Sequence, residues 1–295
     1  MPTHVPVMPA EVVEALAPHR GGTFVDGTVG LGGHAAALLA AGATRLIGID
    51  RDSEALAIAR DRLAPWADRV HLVHGDYRRL GAVLDEAGVG EVDGVLVDLG
   101  LSSFQLEGEG RGFSFQRDEP LDMRMDRTAG QTAADLVATL TERDLADLIY
   151  QYGEERYSRR IARGIVAARE LGPIETTGRL AGIVRRAVPR KGYSRIDPAT
   201  RTFQALRIAV NDEVEGLEAF VELSARRLAP GGRLAVIAFH SLEDRVVKHT
   251  VRRLAGTEVG IWRALWKKAR QPGEAEVTEN PRARSAKLRA LERVA

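Results

Sequence analysis

The segment TFVDGTVGLGGHAAALLA, residues 23–40, indicates the fold class, because a short apolar run leads through closely spaced glycines into a series of helix-forming residues. Glycines at positions 27, 30, 32 and 33 allow a sharp turn and a close approach of the backbone to a ligand. Their spacing departs from the dinucleotide pattern Gly-x-Gly-x-x-Gly, which argues against a bound pyrophosphate. We therefore predict a strand–loop–helix unit that binds a ligand without a diphosphate.

Further apolar runs repeat this strand pattern along the chain. They are RLIGID (45–50), VHLVHGD (70–76), DGVLVDL (93–99) and RLAVIAF (233–239). Helical spacing separates them; residues 53–63 place Leu56 and Ala59 on one face, with Asp52 or Ser53 as the helix cap. Strands that alternate with helices predict an α/β fold with a parallel, doubly wound sheet.

Polar side chains stand where these strands end. Asp26, Asp50, Asp76 and Asp98 follow the first strands, and the last strand runs into His240. A single aspartate at a strand end is often only a helix cap or a turn former. Because ligands of open parallel sheets bind outside the carboxyl ends of the strands, a series of such acids predicts one binding crevice.

The crevice has features that suit an adenosine ligand. Asp50, at the end of the second strand, is placed to accept hydrogen bonds from ribose hydroxyls. Tyr77, after the third strand, offers an aromatic ring for an adenine. An adenosine ligand without a diphosphate fits best, and we predict S-adenosylmethionine.

The alternation of strands and helices stops for about one hundred residues after the fourth strand. We interpret residues 105–210 as a helical insertion into an α/β domain that comprises residues 1–104 and 211–295. The segment PGEAEVTENPRA (272–283) is predicted to be a loop.

Composition and charge narrow the functional classes. The chain has 295 residues, 44% of them hydrophobic, and no cysteine, which excludes disulfides, thiolate metal sites and a cysteine nucleophile. No apolar run approaches the roughly 18 residues of a membrane span, and the first residues, MPTHVPVMPAEVVEAL, do not have the basic start and apolar stretch of a signal peptide, so we expect a cytoplasmic protein. Residues 153–207 and 245–295 each carry a net charge of +8, against −11 for residues 1–152. Such blocks suit a polyanionic partner, although solvated helical faces explain them equally well.

Several longer strings resemble one known family closely. They are DGTVGLGGH (26–34), DLGLSSFQL (98–106), RGFSF (111–115), PLDMRMD (120–126), YGEER (152–156), PATRTFQALRIAVN (198–211), FHSLEDR (239–245) and NPRARS (280–285). Together they resemble the bacterial small-subunit (16S) ribosomal RNA cytosine-N4 methyltransferases over nearly the whole chain. The resemblance implies a Rossmann-like methyltransferase domain with an inserted substrate-recognition domain, and methylation of a cytosine amine in the decoding region.

The resemblance also implies site residues. Carried over by position, the contacts to S-adenosylmethionine fall on Gly32, Gly33, His34, Asp50, Tyr77, Asp98 and Gln105. The small ribosomal subunit with its RNA becomes the expected partner, and a homodimer stays open.

Catalysis needs an acceptor for the protons of a weakly nucleophilic amine, and Asp98 and His240 are the candidates. Amine methyltransferases generally carry Pro-Pro and an aromatic after the residue that corresponds to Asp98, whereas this chain reads DLGLSS, so Asp98 could instead hold the cofactor. For His240, packing at the crevice rim is the alternative. Without cysteine, methylation at a pyrimidine C5 is disfavoured, which leaves an amine or a ribose hydroxyl as the acceptor, and the family resemblance favours the amine.

Contacts to substrate RNA are predicted for the residues Ser241, Asp244, Arg201, Arg282 and Arg284. The arginines could equally form internal ion pairs, and Ser241 could cap a helix. Phe113 and Phe115 could stack on a flipped base, but anchoring their loop is the preferred interpretation. No metal site is predicted, because His71 and His74 point to opposite faces of a strand.

Three other functions stay open. A DNA amine methyltransferase would be expected to carry the missing Pro-Pro-aromatic element. An RNA-binding assembly factor would keep the cofactor fold without turnover. A NAD-dependent dehydrogenase rests on fold analogy alone.

Overall fold

The computed structural model describes residues 5–189, 196–256 and 260–295. It divides into two compact units, of which the first comprises Met1–Ser102 and Val214–Ala295 and the second Ser103–Glu213. We call them the sheet unit and the helical unit. The prediction gave 105–210 for the inserted segment, and its role as a substrate-recognition domain stays a proposal.

The sheet unit alternates strands with helices. Its strands are β1 (Thr23–Asp26), β2 (Arg45–Asp50), β3 (Val70–His74), β4 (Val92–Asp98), β5 (Leu228–Ala238), β6 (Trp262–Ala264) and β7 (Lys287–Arg293). Its α-helices are α1 (Pro9–Leu16), α2 (Gly33–Ala40), α3 (Ser53–Arg62), α4 (Leu80–Glu86), α11 (Leu217–Arg226), α12 (Ser241–Ala255) and α13 (Glu274–Glu279). Short 3-10 helices cover Pro18–Arg20, Ala64–Arg69, Tyr77–Arg79 and Pro281–Ser285.

The strands form one sheet in the order β3-β2-β1-β4-β5-β7-β6. Strands β1 to β5 are parallel, and β7 runs antiparallel to both of its neighbours. The chain order reverses between β1 and β4, which is the switch point where open α/β sheets bind ligands. The predicted α/β class with a Rossmann-like parallel sheet is confirmed.

Successive residues of the buried strands point to opposite faces of the sheet, so each strand contributes apolar side chains to a core on both faces. Val25 and Ile47 pack with Phe220 and the other apolar residues of α4, α11 and α12 on one face. Phe24 and Leu46 pack with apolar residues of α1, α2 and α3 on the opposite face. Since both faces are covered, the strands are almost continuously apolar, and this is the pattern that predicted them.

Three details of the prediction need correction. The loop predicted over 272–283 contains α13, because Glu274–Glu279 is rich in residues with high helix propensity. Strand β5 begins at Leu228, five residues before the predicted start at Arg233. Strands β6 and β7 were not predicted at all. At α3, by contrast, Asp52 is confirmed as the cap, since its carboxylate accepts hydrogen bonds from the amides of Glu54 and Ala55.

The helical unit contains α5 (Ser103–Glu107), α6 (Ala133–Thr139), α7 (Glu142–Gly153), α8 (Ser158–Glu170), α9 (Thr177–Ala187) and α10 (Ala199–Asn211). Helices α7 and α10 approach so closely at Gly153 that a Cβ atom there would lie 2.5 Å from the carbonyl oxygen of Arg201. Asn211, the last residue of α10, fixes the loop before α6, because its side chain donates to the Met123 carbonyl and accepts from the Met125 amide, each over 2.8 Å.

Candidate functional site

The glycine loop after β1 is tied to both neighbouring strands. The Gly27 amide donates to the carbonyl of Leu96 in β4 over 2.8 Å, and the Val29 amide donates to the carbonyl of Ile49 in β2 over 2.9 Å. Gly30 and Gly32 follow with φ angles of +51° and +79°, a conformation that favours glycine. The loop therefore crosses the carboxyl edge of the sheet with its backbone held in place.

Asp50 fastens the same loop from the end of β2. Its Oδ2 accepts the Gly30 amide over 2.7 Å, and its Oδ1 accepts the Asp52 amide over 2.9 Å. Burial raises the pKa of Asp50 to about 6, although those two amides oppose the rise. A carboxylate has about four acceptor positions, so after two amides it retains capacity for a pair of hydroxyls.

Asp26 is the most buried acid at this edge, with 1% of its surface exposed. Its Oδ1 accepts the Thr28 amide over 3.2 Å, whereas its Oδ2 has no hydrogen-bond partner among the residues that the structure describes. Burial raises the pKa of Asp26 to about 7. The His34 imidazole opposes that rise, and the carboxylates of Asp98 and Asp50 add to it.

Asp98 ends β4 beside Asp26. Its amide donates to the Thr28 hydroxyl over 2.7 Å, and its Oδ2 lies 4.0 Å from Nδ1 of His34. Burial raises the pKa of Asp98 as well, with the His34 imidazole acting in the opposite direction. The Nε2 atom of His34 donates to the Val7 carbonyl over 2.8 Å, which orients the ring so that Nδ1 faces Asp98.

Asp76 differs from the other acids at the strand ends. Its carboxylate pairs with the guanidinium groups of Arg51 and Arg78, and the closest Arg78 contact measures 2.6 Å. Burial alone would raise its pKa, but these arginines outweigh burial and hold the pKa below its usual range. Asp76 thus joins the start of α3 to the end of β3 as a structural ion pair.

The Tyr77 ring packs in the core rather than on an open face. It meets Phe220 edge-on, with ring centroids 4.6 Å apart, and it is 9% exposed. A Cβ atom on Gly27 would lie 3.0 Å from the Tyr77 Cβ, so the tyrosine also supports the glycine loop. Stacking of this ring on an adenine stays a prediction.

His240 acts as the N-cap of α12. Its side chain accepts the Glu243 amide over 3.4 Å, and its Nε2 lies 3.0 Å from Oε1 of Glu243. The buried Glu243 carboxylate in turn accepts the amides of Phe239 and His240. This reciprocal capping box corrects the alternative that Ser241 caps the helix, since Ser241 is its first helical residue.

Asp244, predicted to contact RNA, is buried and already paired. Its carboxylate accepts hydrogen bonds from Lys287 over 2.9 Å and from Arg289 over 2.8 Å, both on β7. These two cations outweigh the effect of burial and lower the pKa of Asp244. The arrangement neutralises the carboxylate and fastens α12 to β7.

The predicted RNA-contacting arginines fall into two groups. Arg282 and Arg284 lie exposed on the 3-10 helix Pro281–Ser285. Arg201 lies on α10 of the helical unit, where it donates to the Glu154 carbonyl over 3.1 Å and is half-exposed. Arg201 therefore has the internal contacts that the alternative interpretation expected.

Aromatic residues of the helical unit support the loop between α5 and α6. Phe113 is buried, and Phe115 meets Phe203 of α10 edge-on at 4.7 Å between centroids. Both contacts agree with the preferred interpretation that these phenylalanines anchor the loop. Gln105, a predicted cofactor contact, is buried on α5 of this unit.

Within the sheet unit, the structure brings together Gly32, Gly33, His34, Asp50, Tyr77 and Asp98 around one loop. Sequence reasoning missed Thr28, whose hydroxyl and amide contact two of the acids. It placed Asp26 at the binding crevice but assigned it no contact. The available signal was its position as the first acid before the glycines. The donor set fits S-adenosylmethionine, because Asp50 retains acceptors for a ribose and Asp26 offers a buried anionic oxygen to a cation.

Comparisons with known proteins find a matching family model and several related proteins. The family model described as the MraW methylase family matches residues 1–294. Three curated relatives carry the name Ribosomal RNA small subunit methyltransferase H. The relative from Geotalea uraniireducens is 51% identical, with 99% of this chain and 98% of the relative covered. The relatives from Sorangium cellulosum and Deinococcus radiodurans are 54% and 55% identical, with 99% of this chain and 91% and 90% of the relatives covered.

Solved structures with a similar course of the chain include an rRNA methylase from Streptococcus thermophilus. It is 13% identical, with a TM-score of 0.44 and 98% of each chain covered. A putative methyltransferase from Streptococcus mutans in complex with SAH is 12% identical, with a TM-score of 0.43 and coverage of 98% of this chain and 99% of that one.

Proposed function

The chain belongs to the MraW methylase family, and from this premise we propose that it methylates the exocyclic N4 amine of a cytosine in the decoding region of small-subunit ribosomal RNA. Its methyl donor is S-adenosylmethionine. The observation that carries the proposal is the 51% identity to a ribosomal RNA small subunit methyltransferase over nearly the full length of both chains.

The cofactor is expected at the carboxyl edge of β1, β2 and β4. Asp50 would accept the ribose hydroxyls, and Gly32 and Gly33 would let the backbone approach the ligand. His34 and Tyr77 would line the same edge. The family resemblance adds Asp98 and Gln105 as contacts.

When bound, S-adenosylmethionine supplies an electrophilic methyl group on a sulfonium. The residues of the chain must orient the cytosine amine in line with that group and keep water out. As the new N–C bond forms and the S–C bond breaks, the amine gives up one proton. Asp98 suits this acceptor role, because burial raises its pKa and makes the ionised carboxylate a stronger base.

His240 is the second candidate for the proton, although its Nδ1 lone pair already accepts the Glu243 amide. Taking a proton at Nδ1 would break the cap of α12, so a positioning role agrees better with the geometry. Substitution His240→Asn separates the roles, because asparagine caps helices well and does not titrate. We expect H240N to keep most of the methylation rate, and D98N to lose at least about a hundredfold, within the usual range for a removed acid or base.

The RNA is expected to meet both units. Arg282 and Arg284 offer exposed positive charge for phosphates, and Arg201 and Ser241 are further proposed contacts. Asp244 would act indirectly, by holding α12 and β7 together. The helical unit would serve as the substrate-recognition domain, and the assembled or nearly assembled small subunit in the cytoplasm would be the partner. A homodimer is a further proposal, which sedimentation would test.

The test uses small subunits from cells that lack this protein. They are incubated with the purified chain and methyl-labelled S-adenosylmethionine, and the labelled nucleoside is identified by mass spectrometry after digestion of the RNA. Label on the cytosine amine supports the proposal. Cofactor binding without label on subunits or on naked RNA would refute it and favour an assembly factor or a DNA substrate.

A further inference from the structure

The Asp26 carboxyl is a buried group whose charge the protein leaves uncompensated. Its Oδ1 receives one amide, from Thr28, and its Oδ2 has no partner within the part of the chain that the structure describes. No ion pair to Asp26 forms among those residues either. Burying a polar oxygen without a partner costs free energy, and burying an ionised one costs more.

The groups that face Asp26 make this deficit larger. The carboxylates of Asp98 and Asp50 repel its negative charge, and His34 is the one imidazole that acts against them. The His34 ring is held by the Val7 carbonyl through Nε2, and its Nδ1 lies 4.0 Å from Asp98 rather than pairing with Asp26. Asp26 thus faces two other carboxyl groups at the ends of the neighbouring strands. A cationic ligand beside Asp26 would offset their repulsion of its charge.

Asp76 shows the contrast within the same sheet. It also ends a strand, yet two arginines neutralise it. The chain therefore compensates the acid at the end of β3, and Arg51 also opposes the raised pKa of Asp50 at the end of β2. The acids at the ends of β1 and β4 have no arginine or lysine partner among the described residues. The uncompensated acids are those beside the glycine loop.

We propose that Asp26 is a positioning residue that selects the charged cofactor, because its uncompensated carboxyl group favours the sulfonium of S-adenosylmethionine over the neutral thioether of the product and gives up a proton when the sulfonium binds. This inference rests on the proposed cofactor and is independent of the RNA substrate. The proton leaves the Asp26 carboxyl for solvent on binding. It returns when methyl transfer has removed the positive charge from sulfur.

The consequence for turnover is a built-in release of product. Methyl transfer turns the sulfonium into a thioether, so the attraction to Asp26 disappears in the same step. A discrimination of tenfold in the dissociation constant corresponds to about 1.4 kcal/mol, the size expected for one charge interaction partly screened by its surroundings.

The test is calorimetric and needs no RNA. S-adenosylmethionine and S-adenosylhomocysteine are titrated into the full-length wild type, Asp26→Asn and Asp68→Asn at pH 7, in phosphate and in Tris. The two buffers differ in ionisation enthalpy, so the difference in heat counts the protons released. Asp68→Asn is the matched control, because Asp68 is exposed and lies before β3, away from the glycine loop.

We expect the wild type to prefer S-adenosylmethionine by about tenfold and to release about half a proton on binding it, since a group with a pKa of about 7 is half protonated at pH 7. The thioether should release little. Asp26→Asn should bind both ligands within threefold of each other and release no proton, whereas Asp68→Asn should match the wild type.

Two results would overturn the inference. One is a wild type that binds the sulfonium without proton release, which needs no variant. The other is a folded Asp26→Asn that keeps the wild-type preference. If the wild type binds neither ligand, the proposed function fails as well, so the two failures are distinguishable.

Discussion

The Asp50→Ala substitution tests the assignment of the ribose site. The two amides of Gly30 and Asp52 lose their acceptor, and the cofactor loses the carboxylate proposed to receive its hydroxyls. Two hydrogen bonds to a charged group, at about 1.5 kcal/mol each, give about 3 kcal/mol and a rise in the dissociation constant of roughly a hundredfold. Isothermal titration with S-adenosylmethionine measures this directly.

Folding stability should change much less, because two effects oppose each other. The lost amide bonds destabilise the loop by about 1 kcal/mol each. A pKa of about 6 in the folded state, against a usual 3.8, means that ionised Asp50 costs the fold about 3 kcal/mol at pH 8. Removing the carboxylate therefore relieves one cost while adding the other, and urea denaturation at pH 8 should give a change of no more than about 1 kcal/mol.

Asp61→Ala is the matched control, since Asp61 is an exposed carboxylate on α3. A folded Asp50→Ala variant that binds the cofactor within threefold of the wild type would refute the assignment. In cells, the same variant separates an enzyme from an assembly factor. Loss of methylation with normal subunit assembly identifies the enzyme.

The remaining predictions concern pH and the β7 attachment. The pKa of Asp26 in the folded state, about 7, lies above its value in the unfolded chain, so between these values the folded protein retains a proton that the unfolded chain has lost. The free energy of unfolding should therefore fall by up to about 4 kcal/mol as the pH rises from about 4 to 7, and then level off. Urea denaturation across this range should show a flatter dependence of the unfolding free energy on pH for Asp26→Asn than for the wild type. The same pH dependence in both proteins would contradict this prediction. Asp244→Ala leaves Lys287 and the largely buried Arg289 without their carboxylate and should destabilise the chain by about 2 kcal/mol, less than a fully buried pair because Lys287 is partly exposed. Replacing Lys287 by alanine should cost less, and equal losses would argue against this ranking.

The central strands can be predicted from the sequence alone, because a short run that is apolar on both faces indicates a buried strand whichever residues pack against it. TFVD and RLIGID are apolar on both faces, and β1 and β2 have the predicted bounds. Strand β7 reads KLRALER, where charged residues alternate with apolar ones in a way that also suits a surface helix. Its charges are satisfied by residues distant in the chain, since Glu292 pairs with Arg233 and Arg263. Only the tertiary fold supplies those partners, so the pattern alone could not identify the strand.

The same limit applies to the acids of the candidate site. The sequence places an aspartate at four strand ends, and the fold brings them to one edge, as the rule for parallel sheets requires. The pattern cannot rank them, because all four read alike. Asp76 has a lowered pKa since Arg51 and Arg78 reach it, and Asp26 has a raised pKa since no such group does. The positions of the arginines in the fold therefore determine which of these aspartates have a raised pKa. Burial raises the pKa values of Asp26, Asp50 and Asp98, the acids beside the glycine loop, and this is the place where we propose that the sulfonium binds.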